Sequence, residues 1–136
     1  MPPDALVVWN YTVKADHRDG SFTKSQWGIT IPQEKRAFKT AISKGWEEVG
    51  SGRAWGLHFV DDEPAYLGFL AADSSAPNAS SFIAIFDLSA NTHGYPADYR
   101  ATREKPPSAV RSDWVDKSII SKAKASKIGQ GKRCAL

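Results

Sequence analysis

Hydrophobic and polar residues alternate in two segments near the start of the chain, and this pattern predicts two strands. The segments are residues 5–14 and residues 25–31, and both place aromatic or β-branched side chains at every second position, as a strand with one buried face requires. The alternating residues are Val7, Trp9, Tyr11 and Val13 in the first segment, and Trp27, Ile29 and Ile31 in the second. Between them, Asp19-Gly20 suits a turn. We therefore expect a hairpin.

A helical repeat follows. Over residues 33–49 apolar residues recur at helical spacing and form one stripe, while the opposite face is charged. Pro32 suits the first turn of a helix, and the glycines of 50–52 suit its end. The stripe consists of Phe38, Ala41, Ile42, Gly45, Trp46 and Val49. The pattern predicts an amphipathic helix that packs on a sheet.

Three strand-like runs come next, at residues 53–60, 65–72 and 81–88. The first is separated from the second by a turn at 61–64, and the second from the third by a polar loop at 73–80. The second and third runs are apolar on both faces, which is typical of strands covered on both sides. Short connections favour antiparallel pairing.

Regular patterns weaken beyond residue 89. Residues 91–107 predict a long loop. Ser108 is a candidate N-cap for a helix that begins there. Residues 121–128 fit either an edge strand or a helix, and residues 129–136 are expected to form a frayed end.

These elements predict an α+β fold, with a mostly antiparallel sheet of about five strands, one amphipathic helix packed on it, and a C-terminal helix followed by a basic tail. No linker or internal repeat divides the sequence. We expect a single domain over residues 1–136, with a basic tail at 121–136 whose order the sequence leaves open.

The composition supports a folded chain. Hydrophobic residues make up 41% and charged residues 24% of the 136 residues, close to the averages of globular domains. No apolar run approaches the roughly 20 residues of a membrane helix, and the N-terminal residues lack the basic segment of a signal peptide. Cys134 is the single cysteine, so no internal disulfide forms. Together these features favour a cytoplasmic protein without membrane association.

Charge is distributed unevenly along the chain. Residues 1–99 hold 8 Lys and Arg against 12 Asp and Glu, whereas residues 100–136 hold 10 against 3. A basic end of this kind is typical of nucleic-acid binding or of docking to an acidic protein, although it can also lie against the acidic remainder of its own chain. The ten basic residues are Arg100, Arg103, Lys105, Arg111, Lys117, Lys122, Lys124, Lys127, Lys132 and Arg133.

The sequence offers no motif for a metal or a cofactor. His17, His58, His93 and Cys134 lie far apart, without the close spacing of a zinc site. The acidic residues at 61–63 are interpreted as a turn rather than a cation site. Neither a dinucleotide fingerprint nor a phosphate loop is present. The five tryptophans are in phase with apolar neighbours, which favours core packing over base stacking.

Two places could carry acid–base chemistry. His58 lies in the middle of a predicted strand, and the segment NTHGYPADYR (91–100) contains His93, Tyr95 and Arg100 after a predicted central strand. Histidine moves protons near neutral pH, arginine neutralises developing charge, and tyrosine can position a phosphate. A well-made turn would also use the glycine and the proline of this segment.

Three functions remain open. The first is a non-catalytic module that contacts nucleic acid through the ten basic residues of the C-terminal third. The second is a small metal-independent nuclease that uses His93 and His58 as acid and base, Arg100 for charge and Tyr95 for positioning. The third is an interaction module of the immunity or antitoxin kind that docks on an acidic protein.

Overall fold

The computed structural model describes residues 4–136, so the first three residues of the predicted domain lie outside it. The helices of this part are α1 (Ala5–Val8), α2 (Ile31–Ser43), α3 (Ser108–Asp116) and α4 (Lys122–Gly129), with 3-10 turns at Ala15–His17 and Thr102–Glu104. The strands are β1 (Gln26–Trp27), β2 (Glu47–Glu48), β3 (Arg53–Val60), β4 (Glu63–Ala65), β5 (Gly68–Phe69), β6 (Ser80–Ser81), β7 (Ile83–Asp87) and β8 (His93–Pro96). All the pairings are antiparallel. The predicted α+β class is confirmed.

The larger sheet has the order β2-β3-β7-β8, and β4 pairs with the last three residues of β3. A smaller sheet has the order β1-β5-β6. The predicted strand 53–60 is confirmed residue for residue. Asp61 and Asp62 both have positive φ angles, 51° and 64°, as a tight hairpin turn requires. The sheet of about five strands is also confirmed.

Helix α2 covers one face of the larger sheet. A capping box begins it: the Thr30 hydroxyl accepts a hydrogen bond from the Gln33 N–H, and the Gln33 side chain accepts one from the Thr30 N–H. In its middle, Phe38 is fully buried and packs edge-on against Phe86, with ring centroids 5.2 Å apart. The predicted amphipathic helix on the sheet is confirmed.

Thr30→Ala should lower the free energy of unfolding by about 1 kcal/mol, because the first turn of α2 loses the side chain that accepts its free N–H. Urea unfolding followed by circular dichroism measures the change. Ser43→Ala, which removes an exposed hydroxyl at the other end of the same helix, is the matched control. Equal effects of the two substitutions would contradict the capping role.

Helix α2 ends earlier than the predicted boundary at residue 49. Gly45 has a φ of 69° and closes the helix in the left-handed region. The next residues then turn back, and β2 pairs with the start of β3. Trp46 stays in the core, but Val49 is 99% exposed. The prediction that Val49 extends the apolar stripe was therefore wrong.

The predicted strand at 5–14 was also wrong. Asp4 caps a single helical turn, α1, by accepting a hydrogen bond from the Leu6 N–H. Val7 is 77% exposed despite its place in the alternating pattern. The segment does not pair with 25–31 in a hairpin; β1 pairs with β5 instead. Alternation of apolar and polar side chains predicts a strand, but a strand forms only where a second strand lies alongside to pair with it.

Two further segments differ from the sequence prediction. The run 65–72 does not form one strand: it divides between β4 of the larger sheet and β5 of the smaller sheet. The predicted loop at 91–107 begins with β8, an edge strand that pairs with β7. Gly94 suits this strand because a side chain there would overlap the ring of Phe86, and Pro96 is tolerated at its end.

The C-terminal third lies on the other face of the larger sheet. The Trp55 indole N–H donates to the Glu104 carbonyl at 2.9 Å, and Trp114 of α3 meets Trp46 edge-on at 5.7 Å. Four of the five tryptophans, Trp27, Trp46, Trp55 and Trp114, are at most 7% exposed, which confirms their core role. The helix at 108 is confirmed as α3, although Pro107 rather than Ser108 is its N-cap.

Residues 121–136 form a helix followed by an extended end. Segment 121–128 is helical, since the Ser121 hydroxyl caps α4 by accepting from the Lys124 N–H. Beyond α4, the Cys134 backbone N–H donates to the Tyr99 hydroxyl at 2.7 Å. This bond ties the end of the chain to the segment that follows β8.

A buried ion pair joins the first turn of α2 to the segment before β1. The Glu34 side chain is 0% exposed, and its Oε1 accepts from both Nε and Nη2 of Arg18, at 3.1 and 2.7 Å. Its Oε2 accepts from the Tyr11 hydroxyl at 2.5 Å. Arg18 also donates to the Ile29 carbonyl. Every charged atom of this group therefore has a partner.

The smaller sheet covers the outer side of β8. The Trp27 indole N–H donates to the Gly94 carbonyl at 3.1 Å. Strand β5 approaches so closely that a Cβ at Gly68 would overlap the Gln26 carbonyl and the ring of Pro96. This close contact covers the edge of the larger sheet, and Pro96 at the contact lines one of the clefts described next.

Candidate functional site

The two histidines singled out from the sequence line different cavities. His58 lies on β3 beside α2, in a cavity of about 40 Å³ with Gln33, Arg36 and Thr40. Burial, and secondarily the charge of Arg36, lowers the pKa of His58. His93 lies on β8 and lines a separate cleft. The structure does not bring His58 and His93 into one site.

His93 instead shares its cleft with His17. We call this space, of about 380 Å³, the histidine cleft. The side chains of it that can carry charge or move protons are His17, Lys24, Asp87, His93, Tyr95, Asp98 and Glu104. Of these, the sequence offered only His93 and Tyr95 as candidates for acid–base chemistry.

Strand geometry and stacking hold the two histidines near each other. His93 and Tyr95 are two residues apart on β8, so their side chains share a face and lie about 7 Å apart along the strand. The Tyr95 ring stacks on the His17 ring, with centroids 4.8 Å apart and planes within 8°. Tyr95 thus adjoins both imidazoles.

Backbone hydrogen bonds orient both imidazole rings. Nδ1 of His17 lies 2.8 Å from the Ser25 carbonyl oxygen, and Nδ1 of His93 lies 3.0 Å from the Asn91 carbonyl oxygen. Because a carbonyl only accepts, the hydrogen is assigned to Nδ1 in each ring. In the neutral tautomer, each Nε2 then has a free lone pair that can accept a proton.

Burial is the main influence on the pKa of His17. Desolvation lowers the pKa of His17 and outweighs the opposing hydrogen bond to Ser25 and the charge of Asp16, while Lys24 and His93 lower it further. Nε2 of His17 is 4.0 Å from a carboxylate oxygen of Asp16. The lowered pKa favours the neutral ring, the form that can act as a base.

The acidic side of the cleft is also perturbed. Burial raises the pKa of Glu104, whose Oε1 accepts a hydrogen bond from the Asp98 N–H at 3.1 Å. Burial first, and then the charge of Glu104, raises the pKa of Tyr95. The Tyr95 hydroxyl therefore remains protonated and able to donate a hydrogen bond at neutral pH.

A second, larger cavity adjoins the histidine cleft. We call this space, of about 520 Å³, the basic cavity; its cationic side chains are Arg100, Lys127 and Arg133, and its aromatic ones are Tyr66 and Tyr99. Leu70 and Asp98 line both spaces. A ligand long enough to cross this shared wall would contact both.

Arg100 is partly neutralised within the basic cavity. Its Nε and Nη2 donate to the two oxygens of Asp98, each at 2.8 Å, and this pairing raises the pKa of the guanidinium. The bidentate contact fixes the plane of the guanidinium and leaves Nη1 outside that pairing. Lys127 and Arg133 are both exposed.

The other seven basic residues do not line the basic cavity. Lys105 donates to the Gly129 carbonyl at 3.1 Å, and Lys117 pairs with Asp113 at 2.7 Å. Arg111 and Lys122 line a cavity beside Asp116, and Lys124 lines one beside Asp62 and Glu63. The charge of Arg103 lowers the pKa of Glu104, and the Lys132 backbone N–H donates to the Lys127 carbonyl. Of the ten predicted residues, three meet in the basic cavity.

Comparison with known proteins gives no assignment: no family model, curated protein or solved structure matches this chain. Within residues 4–136, no group of three or more His, Cys, Asp or Glu side chains is arranged to hold a metal ion. In the same range, no helix has the length and apolar character needed to cross a membrane. The site is therefore interpreted from its own chemistry.

Proposed function

We propose that this protein binds single-stranded nucleic acid, with its backbone phosphates held in the basic cavity. The observation that supports this is the convergence of Arg100, Lys127 and Arg133 on one concave space. Arginine and lysine at a cavity wall neutralise phosphate and release counterions, which favours binding of a polyanion. The Ser80 hydroxyl adds a hydrogen-bonding group to the same wall.

The shape of the cavity favours an unpaired strand over a duplex. A concave space of about 520 Å³ can hold a nucleotide but not a double helix. Tyr66, which is 45% exposed at this cavity, offers an aromatic face on which a base can stack. A duplex presents only its outer phosphates and leaves that ring unused.

Lys127→Ala/Arg133→Ala should weaken binding of fluorescent single-stranded RNA about tenfold, or roughly 1.4 kcal/mol. The slope of log affinity against log salt concentration should fall by about 1.4, since two phosphate contacts are lost. Fluorescence anisotropy over a salt series measures both quantities.

Lys117→Ala/Lys122→Ala is the matched control. It removes the same charge from the same end of the chain, but both lysines line other cavities. Equal losses in the two double variants would mean that total charge, and not the basic cavity, binds the strand. Absence of binding by the unmodified protein at low salt would overturn the proposal and favour docking on an acidic protein.

A further inference from the structure

We propose that the histidine cleft cleaves RNA, with His17 as the general base and His93 as the general acid. This inference rests on the proposed function, because the strand to be cut is the one held in the basic cavity. The site differs from the pair of histidines expected from the sequence. His17 takes the place of His58, which lies in a cavity of about 40 Å³, too small to admit a phosphodiester.

The shared wall of the two cavities provides the route for the strand. Leu70 and Asp98 line both spaces. A phosphate seated on Lys127 and Arg133 therefore leaves the next linkage of the same strand within reach of the histidine cleft. Holding the strand at a neighbouring subsite makes the encounter between that linkage and the two imidazoles effectively intramolecular.

The environments of the two imidazoles suit opposite roles. His17 is 8% exposed and stacked on Tyr95, so burial favours its neutral form, the form that accepts a proton. His93 is more exposed and lies directly across from Asp87 in the β7–β8 ladder. This more exposed position lets His93 regain a proton from water between turnovers, as a general acid must. Different environments for two titratable groups are what an acid–base pair requires.

The reaction balances without a co-reactant. Nε2 of His17 removes the proton from the ribose 2′-hydroxyl, and that oxygen attacks the adjacent phosphorus. As the new P–O bond forms, the P–O5′ bond breaks, and Nε2 of His93 gives its proton to the departing 5′-oxygen. The products are a 2′,3′-cyclic phosphate and a free 5′-hydroxyl. Lys24 at the cleft and the Tyr95 hydroxyl can stabilise the charge on the phosphoryl oxygens.

This chemistry fixes the substrate class. The nucleophile is the 2′-hydroxyl of the substrate, so RNA is cut and DNA is bound but left intact. The same argument applies to RNA with a 2′-O-methyl group at every position. Because the proton transfers use only imidazole, cleavage should persist in EDTA.

The test is cleavage of 5′-fluorescent single-stranded RNA in EDTA, with product ends identified by mass spectrometry and binding followed in parallel on 2′-O-methyl RNA of the same sequence. We expect products ending in 2′,3′-cyclic phosphate. His93→Ala should lower the cleavage rate at least about 100-fold while affinity changes less than about twofold. Lys127→Ala/Arg133→Ala should raise KM and leave kcat nearly unchanged.

Control variants separate catalysis from folding. His58→Ala should cleave as fast as the unmodified protein, since His58 lies outside the cleft. His17→Ala removes a buried ring, so His17→Gln, with its circular dichroism and melting temperature checked, provides the second measurement at that position. A folded His17→Gln protein that binds RNA should be as slow as His93→Ala.

The outcomes distinguish this inference from the function on which it rests. RNA that is bound but stays intact overturns cleavage and leaves the binding proposal standing. RNA that is neither bound nor cut overturns both. Cleavage that survives His93→Ala, or that also degrades 2′-O-methyl RNA, assigns the chemistry to another group. Either result overturns the roles proposed for His17 and His93.

Discussion

Replacing Arg18 by alanine should lower the free energy of unfolding by about 3–5 kcal/mol. The Glu34 carboxylate is 0% exposed and receives two of its hydrogen bonds from Arg18. Without that guanidinium, a charge remains buried with only the Tyr11 hydroxyl as its partner. Removing one member of a buried ion pair costs much more than the pair contributes, because the stranded charge cannot regain water.

Thermal and urea unfolding measure this loss, and two comparisons identify its cause. Arg36→Ala removes an exposed arginine of α2 and should change stability by less than about 0.5 kcal/mol. Arg18→Ala/Glu34→Gln should recover part of the loss, since no charge is left buried. A loss below about 1 kcal/mol would mean that water solvates Glu34 in the variant.

Gly68→Ala should destabilise the fold by about 3 kcal/mol, the upper end of the range for overpacking. A methyl group there would overlap the Gln26 carbonyl on one side and the ring of Pro96 on the other. Neither obstacle is the free end of a flexible side chain, so β5 itself must move away from β1 and β8. That movement would also displace Leu70, which follows β5 and lines the histidine cleft.

Gly28→Ala is the matched control for this substitution. A Cβ at Gly28 would meet the edge of the Phe69 ring at 3.2 Å, and that half-exposed side chain can rotate aside. We expect a change of less than about 1 kcal/mol in urea unfolding. If Gly68→Ala were no more destabilising than Gly28→Ala, the contact between the two sheets would be looser than the structure describes.

The sequence predicted the centre of the fold because burial there follows directly from the residue pattern. Strand β3 and helix α2 carry long apolar stripes, and each stripe packs against a neighbouring element. The prediction failed at 5–14, where alternation was present but no strand lay alongside to pair with it. It also missed β8, since Gly94 and Pro96 are turn residues in most contexts. Here Gly94 is suited to a strand because a side chain at this position would overlap the ring of Phe86, which lies on another strand.

The candidate site was only partly visible in the sequence for the same reason. The segment 91–100 drew attention to His93, Tyr95 and Arg100, and the structure places the first two in the histidine cleft and the third in the basic cavity. His17 lies in a segment that the sequence presents as a turn. Its stack on Tyr95 depends on the smaller sheet closing over β8, and local sequence carries no signal of that contact. The sequence also did not reveal that the basic residues are spread over several surfaces of the fold.

The packing of the smaller sheet over β8 limits when the histidine cleft can form during synthesis. Trp27 and the carbonyl that receives its indole hydrogen bond, that of Gly94, are 67 residues apart. A contact of this sequence separation forms late, because the entropy of a long loop must be lost first. While the chain is still leaving the ribosome, the larger sheet next to His17 is therefore incomplete. If the cleft cuts RNA, a nascent chain is harmless to its own messenger until β8 has emerged and paired.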